Sequence, residues 1–595
     1  MAVALTPSAP AWARRTARTG ATMITAIEIE NFKAIGERVR IELKPITLLF
    51  GPNSSGKSTI IQAIHYMREI LERGNVDADY TSVGGETIDL GGFRQLVHGH
   101  DLARAVSLRL DVSLEGCQLP GYLDDEIDSC RIGGKYLDEH ERELDETLST
   151  AMNVWFEVKA AWDFAKQRPT LTAYESGVDG ELMGTITLEQ GERRAVVSCR
   201  PNWMNSTLRR WKAGREGMDG TPEGIEAAVQ ERMPAMLEAL SGTIGVDPTL
   251  EQIAAIRRYL ASEVAEFPIT TRFIDTNKYL ASEDSISHGG DVLLSEGYSS
   301  LPALGSRLVL RDDVSTYSDR LVCEALLSRV LMGPGELARD ALRDAFRYLG
   351  PLRRVPPRYH EPARSFAESR WATGLGAWDV IAGNKEVAVA ANSWLSAPDR
   401  LDTGYSVELK EFKEVELESD LGCKLRGKRL KAGSLARTFD ELPVKTRLAI
   451  RETNRGLEVG PHDIGVGLSQ LIPVVVAAVD RSKSLVAMEQ PELHIHPAWQ
   501  TRLGDLIIAE ATQGKRTFLL ETHSEHLLLR LLRRIRETSE EGREDLRLLP
   551  ENIAVMYVEK VGDTARVHHL RVDQSGEFLD KWPHGFFDER AEELF

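Results

Sequence analysis

Three observations predict an α/β fold assembled from the two ends of the chain. An apolar strand, Ile46 to Phe50, runs straight into Gly51, Pro52, Asn53, Ser54, Ser55, Gly56, Lys57 and Ser58; beyond it Ile60, Ile64, Met67 and Leu71 recur at helical spacing. Far downstream a second apolar run, Leu485 to Met488, ends in Glu489, Gln490, Pro491 and Glu492. From Asp463 onward, strand-like and helix-like segments alternate, as they do in a largely parallel sheet.

In chain order, strands are expected at ITAIEIENF from Ile24, at RVRIEL after the turn at Gly36, and at Ile46 to Phe50, followed by a helix over Lys57 to Glu72. Between 105 and 200, AVSLRLDVSL, NVWFEVKAAW, MGTITLEQ and RRAVVSC read as an antiparallel β-region interrupted by an acidic segment at 123 to 147. From 215 to 350 the pattern is helical. Thr221-Pro222 and Asp247-Pro248 are helix-start signals, and an apolar stripe runs from Ile253 to Phe267. A further helical stretch spans Tyr317 to Tyr348, with a break expected at Gly333-Pro334-Gly335. Residues 351–460 are mixed: a Pro/Arg-rich loop, a short helical patch and strand-like runs with the basic segment KLRGKRLK. The last part gives a Gly-rich turn, a helix, the strand ending at Glu489, a helix near Trp499 to Glu510, the strand RTFLLET, another helix and two closing strands. The expected domains are 23–200, 201–350 (a helical insertion), 351–460 and 461–595, with 1–22 read as a disordered tail or an over-called start.

The 595 residues are 42% hydrophobic and 28% charged, a globular composition. A net charge of −18 excludes a diffuse basic surface for nucleic acid, though not local patches. No apolar stretch approaches the roughly 20 residues of a membrane span. Five scattered cysteines without CxxC spacing fit a reducing cytoplasm.

The Gly51–Ser58 segment matches G-x-x-x-x-G-K-[ST] in full, and it lies between a strand and a helix as that motif requires. Its glycines let backbone N–H groups face phosphates, and the helix N-terminus adds a favourable dipole. Lys57 is then placed for the β/γ-phosphates and Ser58, followed by Thr59, for Mg²⁺, so ATP and Mg²⁺ are the expected cofactors. Two histidine pairs, His494/His496 and His523/His526, lack a convincingly placed third metal ligand.

With these motifs in view, Asp463 to Gln470 (DIGVGLSQ) and Thr522-His523-Ser524 make the chain resemble the ABC-type ATPase heads of the SMC, RecF and OLD group. The resemblance implies a signature motif in which Gly467 and Ser469 meet the γ-phosphate held by a second subunit. It implies a Walker B acid at Glu489 and a switch histidine at His523. EQPELHIHP, ETHSEHLL, YLGPLRR and WPHGFFDE further resemble a prokaryotic AAA/OLD-like subfamily with an uncharacterised conserved C-terminal region. Membership would imply a homodimer or higher oligomer of ATP-sandwiched heads, often in anti-phage defence or mobile-element settings. The Toprim nuclease of OLD proteins is not matched: no D-x-D follows His523, and Asp77-Ala78-Asp79 lies after the phosphate-loop helix.

Gln490 occupies the place where many such sites carry a catalytic glutamate. An amide cannot accept the proton of an attacking water, although it can orient that water. Three readings stay open: Glu492 is the base, hydrolysis is slow, or a partner completes the site. The expected function is a slow or gated ATPase in a DNA-linked or defence complex; the alternative is a nucleotide-sensing scaffold restraining a separately encoded effector. Basic clusters around Trp211, at Lys424 to Lys431 and at Arg533 to Arg536 keep DNA open as a partner.

Overall fold

The computed structural model describes residues 23–115, 117–120, 151–189, 196–201, 253, 292–293, 304, 308, 317–357, 367–426, 439–513, 516–540 and 546–585. The expected tail at 1–22, the acidic segment, the Trp211 cluster, the Ile253–Phe267 stripe apart from Ile253, and most of KLRGKRLK lie outside the described residues. The chain divides into two compact units. One holds Arg109–Ala160 and Thr170–Ala338; the other holds Met23–Leu108, Ala161–Pro169 and Arg339–Phe595.

The strands are β1 (Ile24–Glu30), β2 (Val39–Glu42), β3 (Ile46–Phe50), β4 (Tyr80–Thr81), β5 (Gly85–Asp89), β6 (Val106–Ser113), β7 (Asn153–Asp163), β8 (Arg168–Val178), β9 (Glu181–Glu189), β10 (Val196–Pro201), β11 (Val292–Leu293), β12 (Phe346–Leu349), β13 (Tyr405–Lys413), β14 (Val444–Glu452), β15 (Glu458–Val459), β16 (Leu485–Glu489), β17 (Thr517–Glu521), β18 (Ile553–Val561) and β19 (Thr564–Leu570). The helices used below are α1 (Lys57–Arg73), α2 (Tyr317–Ala345), α3 (Leu375–Gly383), α4 (Lys385–Ser396), α5 (Val466–Val479), α6 (Pro497–Thr512) and α7 (Glu525–Ser539).

In the first unit, β8 to β11 pair antiparallel in sequence order. The expected antiparallel region is present, with β8 added to it. The expected break at Gly333-Pro334-Gly335 does not occur: α2 runs unbroken from Tyr317 to Ala345 with Pro334 inside it. These glycines provide close packing rather than a turn, since a Cβ on Gly335 would lie 2.7 Å from the Phe156 ring. Packing of a mostly buried helix outweighs the one hydrogen bond that proline removes. The last residues expected to be helical, Phe346 to Tyr348, instead form β12.

In the second unit a six-stranded sheet has the order β12-β16-β17-β3-β18-β19. The N-terminal strand β3 thus lies between two strands from the C-terminal part. It pairs parallel with both, Leu520 opposite Leu48 and Val555 opposite Leu48. Every residue of β3, β16 and β17 is buried, as expected of parallel strands covered on both faces. Ile46, Leu48 and Phe50 join Val486, Met488, Phe518, Leu520 and Val555 in one core with α3, α4, α5, α6 and α7. Apart from Ser469 and Gln470, helix α5 is apolar, and it is buried from Leu468 to Val479, the expected pattern for a central helix.

Local chemistry sets the ends of the next elements. His496 Nδ1 accepts from the Ala498 N–H at 3.2 Å to cap α6, with Pro497 at its first position. Ser524 caps α7 by accepting from Leu527 N–H at 3.0 Å. Asp505 of α6 receives charged hydrogen bonds from both Arg530 and Arg534 of α7. Arg533 pairs with Glu537, and Arg536 donates to the Ser575 carbonyl. The cluster Arg533 to Arg536 is therefore engaged within the chain.

Candidate nucleotide and magnesium site

Because β12, β16, β17 and β3 are parallel, their C-terminal ends open at one edge of the sheet, where ligands of open α/β sheets bind. Four turns converge there: Gly350–Arg353 after β12, Gln490–His496 after β16, Thr522–Ser524 after β17, and the glycine loop after β3.

The loop follows its sequence. Gly51 has φ +142°, and a Cβ on it would come 2.0 Å from the Val558 carbonyl oxygen, so only glycine fits. Gly56, at φ +106°, is the N-cap of α1. Pro52, Asn53 and Ser54 are exposed, and Ser54 is left-handed at φ +61°. Ser55 is buried, and its Oγ has no hydrogen-bond partner among the described residues; Thr59 is buried as well. Lys57 is 3% exposed and donates from Nζ to the carbonyls of Gly51 (2.9 Å) and Pro52 (2.7 Å). Burial lowers its pKa, while the charges of Glu521, Glu489 and Glu492 pull it back up.

Three carboxylates face this lysine. Glu489 and Glu521 lie opposite each other on β16 and β17. Ser58 Oγ donates to Glu521 Oε2 at 2.7 Å, and Glu521 Oε1 is 4.0 Å from Lys57 Nζ. Glu489 Oε1 instead accepts from the Tyr348 hydroxyl at 2.8 Å. Burial, then the neighbouring Glu521 charge, pushes the Glu489 carboxyl up to about 7. Burial also raises Glu521 and Glu492.

Arg353 is the cation on the other side. It is 5% exposed, and its Nη2 donates at 2.9 Å to the carbonyls of both Glu489 and Gln490. Its Nε and Nη1 have no hydrogen-bond partner among the described residues. Burial lowers its pKa to about 10 against the pull of Glu492, Tyr348 and Glu489. Gln490 sits in a left-handed turn at φ +44°, its N–H donating to the Glu521 carbonyl at 2.7 Å.

Both oxygens of Glu492 are engaged. Oε2 accepts from Thr522 Oγ1 and Oε1 from the His523 backbone N–H, each at 2.8 Å. This ties the turn after β17 to the turn after β16. Burial, then the Lys57 charge, lowers the His523 pKa, and its Nε2 is buried without a hydrogen-bond partner among the described residues.

The two signature candidates stand apart from this cluster. Ser469 is 2% exposed, and its Oγ donates to the Val466 carbonyl at 2.8 Å in its own helix. A serine offered to a second subunit would be open to solvent, and in this conformation Ser469 is not. Gly467 packs against the next motif, where a Cβ would lie 2.8 Å from the His494 carbonyl oxygen.

The donor set suits Mg²⁺, a hard cation that takes oxygen ligands: one hydroxyl (Ser58) and two carboxylates (Glu489, Glu521). Glu521, Arg353 and Tyr348 were not foreseen as site residues. The signal for Glu521 was present, since RTFLLE is a second apolar strand ending in an acid, just as LVAME is. Arg353 and Tyr348 lie in YLGPLRR, which carries no phosphate- or metal-binding spacing.

Comparison with known families accords with this geometry. Residues 332–530 match the family described as "AAA domain, putative AbiEii toxin, Type IV TA system", and residues 23–89 match one described as "AAA ATPase domain". Residues 548–595 match a "Protein of unknown function (DUF3696)" family. Two separate segments of the chain thus match AAA-type ATPase families, one of them holding the glycine loop and the other the acidic strand β16 and the turn after β17. No curated protein matches it. Among solved structures it is similar to an Smc head bound to the C-winged helix domain of ScpA, at 11% identity over 92% of this chain and 98% of that one, with a TM-score of 0.36. It is also similar to the SMC head domain from Thermotoga maritima, at 9% identity over 92% and 99% of the two chains and a TM-score of 0.32. Likenesses this distant assign neither partner nor activity. Among the described residues no helix is long and apolar enough to cross a membrane.

Proposed function

We propose that the chain is an ABC-type ATPase whose heads close in pairs around ATP and Mg²⁺, with slow or partner-gated turnover. The observation that carries this reading is the convergence of Lys57, Ser58, Glu489, Glu521 and the Glu492–His523 link at one sheet edge. The glycine loop and the α1 N-terminus receive the triphosphate through backbone N–H groups, and Lys57 exchanges its carbonyl partners for phosphate oxygens. Bound Mg²⁺ supplies neutralisation of phosphate charge, with Ser58 and the β16 acid holding it. Gln490 orients the attacking water, and His523 faces the γ-phosphate. Glu492 is the next candidate for the base. Gly467 is half-buried at the start of α5, and Ser469 would reach a second subunit only after α5 shifts to expose it. A homodimer or higher oligomer acting in a DNA-linked or anti-phage defence complex in the cytoplasm is the setting we infer.

The test is nucleotide binding and self-association of the full chain. Lys57→Ala is expected to abolish ATP–Mg-dependent dimerisation in sedimentation velocity; a dimer indifferent to that substitution would overturn the ATP-sandwich reading.

One observation favours a second reading, a nucleotide-sensing scaffold that restrains a separately encoded effector. The residue beside Glu489 is an amide, and Glu492 already has both oxygens engaged. Steady-state phosphate release separates the two: negligible turnover with a co-purifying effector favours the scaffold.

A further inference from the structure

The phosphate-loop serine is the hydroxyl that meets magnesium in a site of this kind, so its partner identifies the carboxylate standing at the metal position. That partner is Glu521, with Ser58 Oγ to Glu521 Oε2 at 2.7 Å. Glu489, the acid that motif reading singles out, is bonded to Tyr348 instead. Glu521 is 6% exposed and opposite Glu489 in the strand register, so the two acids stand side by side at the end of the sheet.

Charge balance makes the same assignment. Glu489 and Glu521 are buried with Glu492 half-buried near them, and Lys57 and Arg353 are buried cations, among the described residues, whose charges act on these acids. A triphosphate in the loop adds further negative charge. Neighbouring carboxylates and phosphates in a site shielded from water favour a cation placed between them. Arg353 is committed to the main chain of Glu489 and Gln490. Lys57 donates to the Gly51 and Pro52 carbonyls and would turn to the phosphates of a bound nucleotide. A divalent cation between the paired β16 and β17 acids would offset their charge.

We propose that Glu521 is a magnesium-site carboxylate of this protein, acting with Ser58, so that the metal is held between acids from two neighbouring strands. The proposal rests on reading the site as one for ATP–Mg. It has a second consequence: without metal, Glu521 repels the phosphates, so nucleotide binding is strongly metal-dependent.

Two measurements on the full chain test this, both with ADP so that turnover plays no part. Mn²⁺ retention by the protein–ADP complex is followed from the electron paramagnetic resonance signal of free Mn²⁺, and ADP affinity is measured in EDTA. Glu521→Gln is expected to weaken Mn²⁺ retention roughly tenfold or more and to strengthen ADP binding in EDTA. A melting curve checks folding. Glu521→Asp, which keeps the charge on a shorter arm, is expected to weaken Mn²⁺ retention while leaving ADP binding in EDTA as poor as in the wild type. Wild-type Mn²⁺ retention in both variants, with loss in Glu489→Gln, would overturn the proposal and leave the β16 acid as sole carboxylate. If the wild-type chain binds no ADP with or without Mn²⁺, the nucleotide-site reading itself fails, a result distinct from a failure of Glu521 alone.

Discussion

Gln470 grips the peptide unit of Arg353 from both sides. Its Oε1 accepts the Arg353 backbone N–H at 3.2 Å, and its Nε2 donates to the Arg353 carbonyl at 2.7 Å. Gln470 follows Ser469 on α5, while the Arg353 guanidinium holds the carbonyls of Glu489 and Gln490. The helix with the signature candidates is thereby linked to the turn with the acidic ones.

Gln470→Leu would leave two buried backbone groups of Arg353 without partners. It is expected to destabilise the protein by about 2–3 kcal/mol, read from the shift in urea midpoint. A shift equivalent to a few tenths of a kcal/mol would mean that the grip contributes little.

Gly51 and Gly74 form a controlled pair. Both have positive φ, but a Cβ on Gly74 meets nothing within 4 Å, whereas one on Gly51 collides with Val558. Gly74→Ala is expected to cost about 1–2 kcal/mol from left-handed strain alone. Gly51→Ala is expected to cost more than about 3 kcal/mol and to remove nucleotide binding, because the loop must move. Thermal melts with and without ADP–Mg measure both effects; equal costs would contradict the collision.

His65 sets an acid limit on stability. It is fully enclosed, its ring edge-on to Phe346 and Tyr348, with Nδ1 at 3.2 Å from Thr81 Oγ1. Burial, with the Arg68 charge adding to it, lowers its pKa from 6.5 to about 3. The folded protein thus refuses a proton that the unfolded chain accepts below pH 6.5. The contribution is complete above that pH and is lost on acidification toward pH 3, at about 1.4 kcal/mol per pH unit. His65→Gln should flatten the fall in unfolding free energy between about pH 6.5 and pH 5. Parallel curves for the two proteins would remove His65 as the cause.

Gln490→Glu places a proton acceptor beside Glu489. Phosphate release at saturating ATP–Mg is expected to rise by about tenfold or more, toward the range that positioned bases supply. Glu492→Gln is expected to loosen the His523 turn and melt at a lower temperature. If Gln490→Glu leaves turnover unchanged while Glu492→Gln abolishes it, the base is Glu492.

Much of the head was legible because its signals are local. The Gly51–Ser58 loop, the strand ending at Glu489, and the alternation from Asp463 to Leu570 each depend on residues close in sequence, and each element formed where expected. The less legible features are decided by contacts across the chain. Gly333-Pro334-Gly335 reads as a breaker until Phe156 is seen against Gly335. Strand β8 is hidden because RPTLTAYESGV has little apolar alternation; its register shifts at Ser176/Gly177, where Trp155 needs the space. The partnership of Ser58 with Glu521 and the grip of Gln470 on Arg353 join residues with no shared motif.

The position of β3 also bears on how the protein is made. Its two hydrogen-bonding partners, β17 and β18, begin at Thr517 and Ile553. At about 5–20 residues per second, the ribosome finishes β17 roughly half a minute to a minute and a half after β3 has been translated. Throughout that interval the nascent chain carries a completed glycine loop on an apolar strand with both edges unpaired, a hazard for aggregation. A chaperone that shields Ile46–Phe50 on the ribosome would thus be expected to raise the yield of native protein.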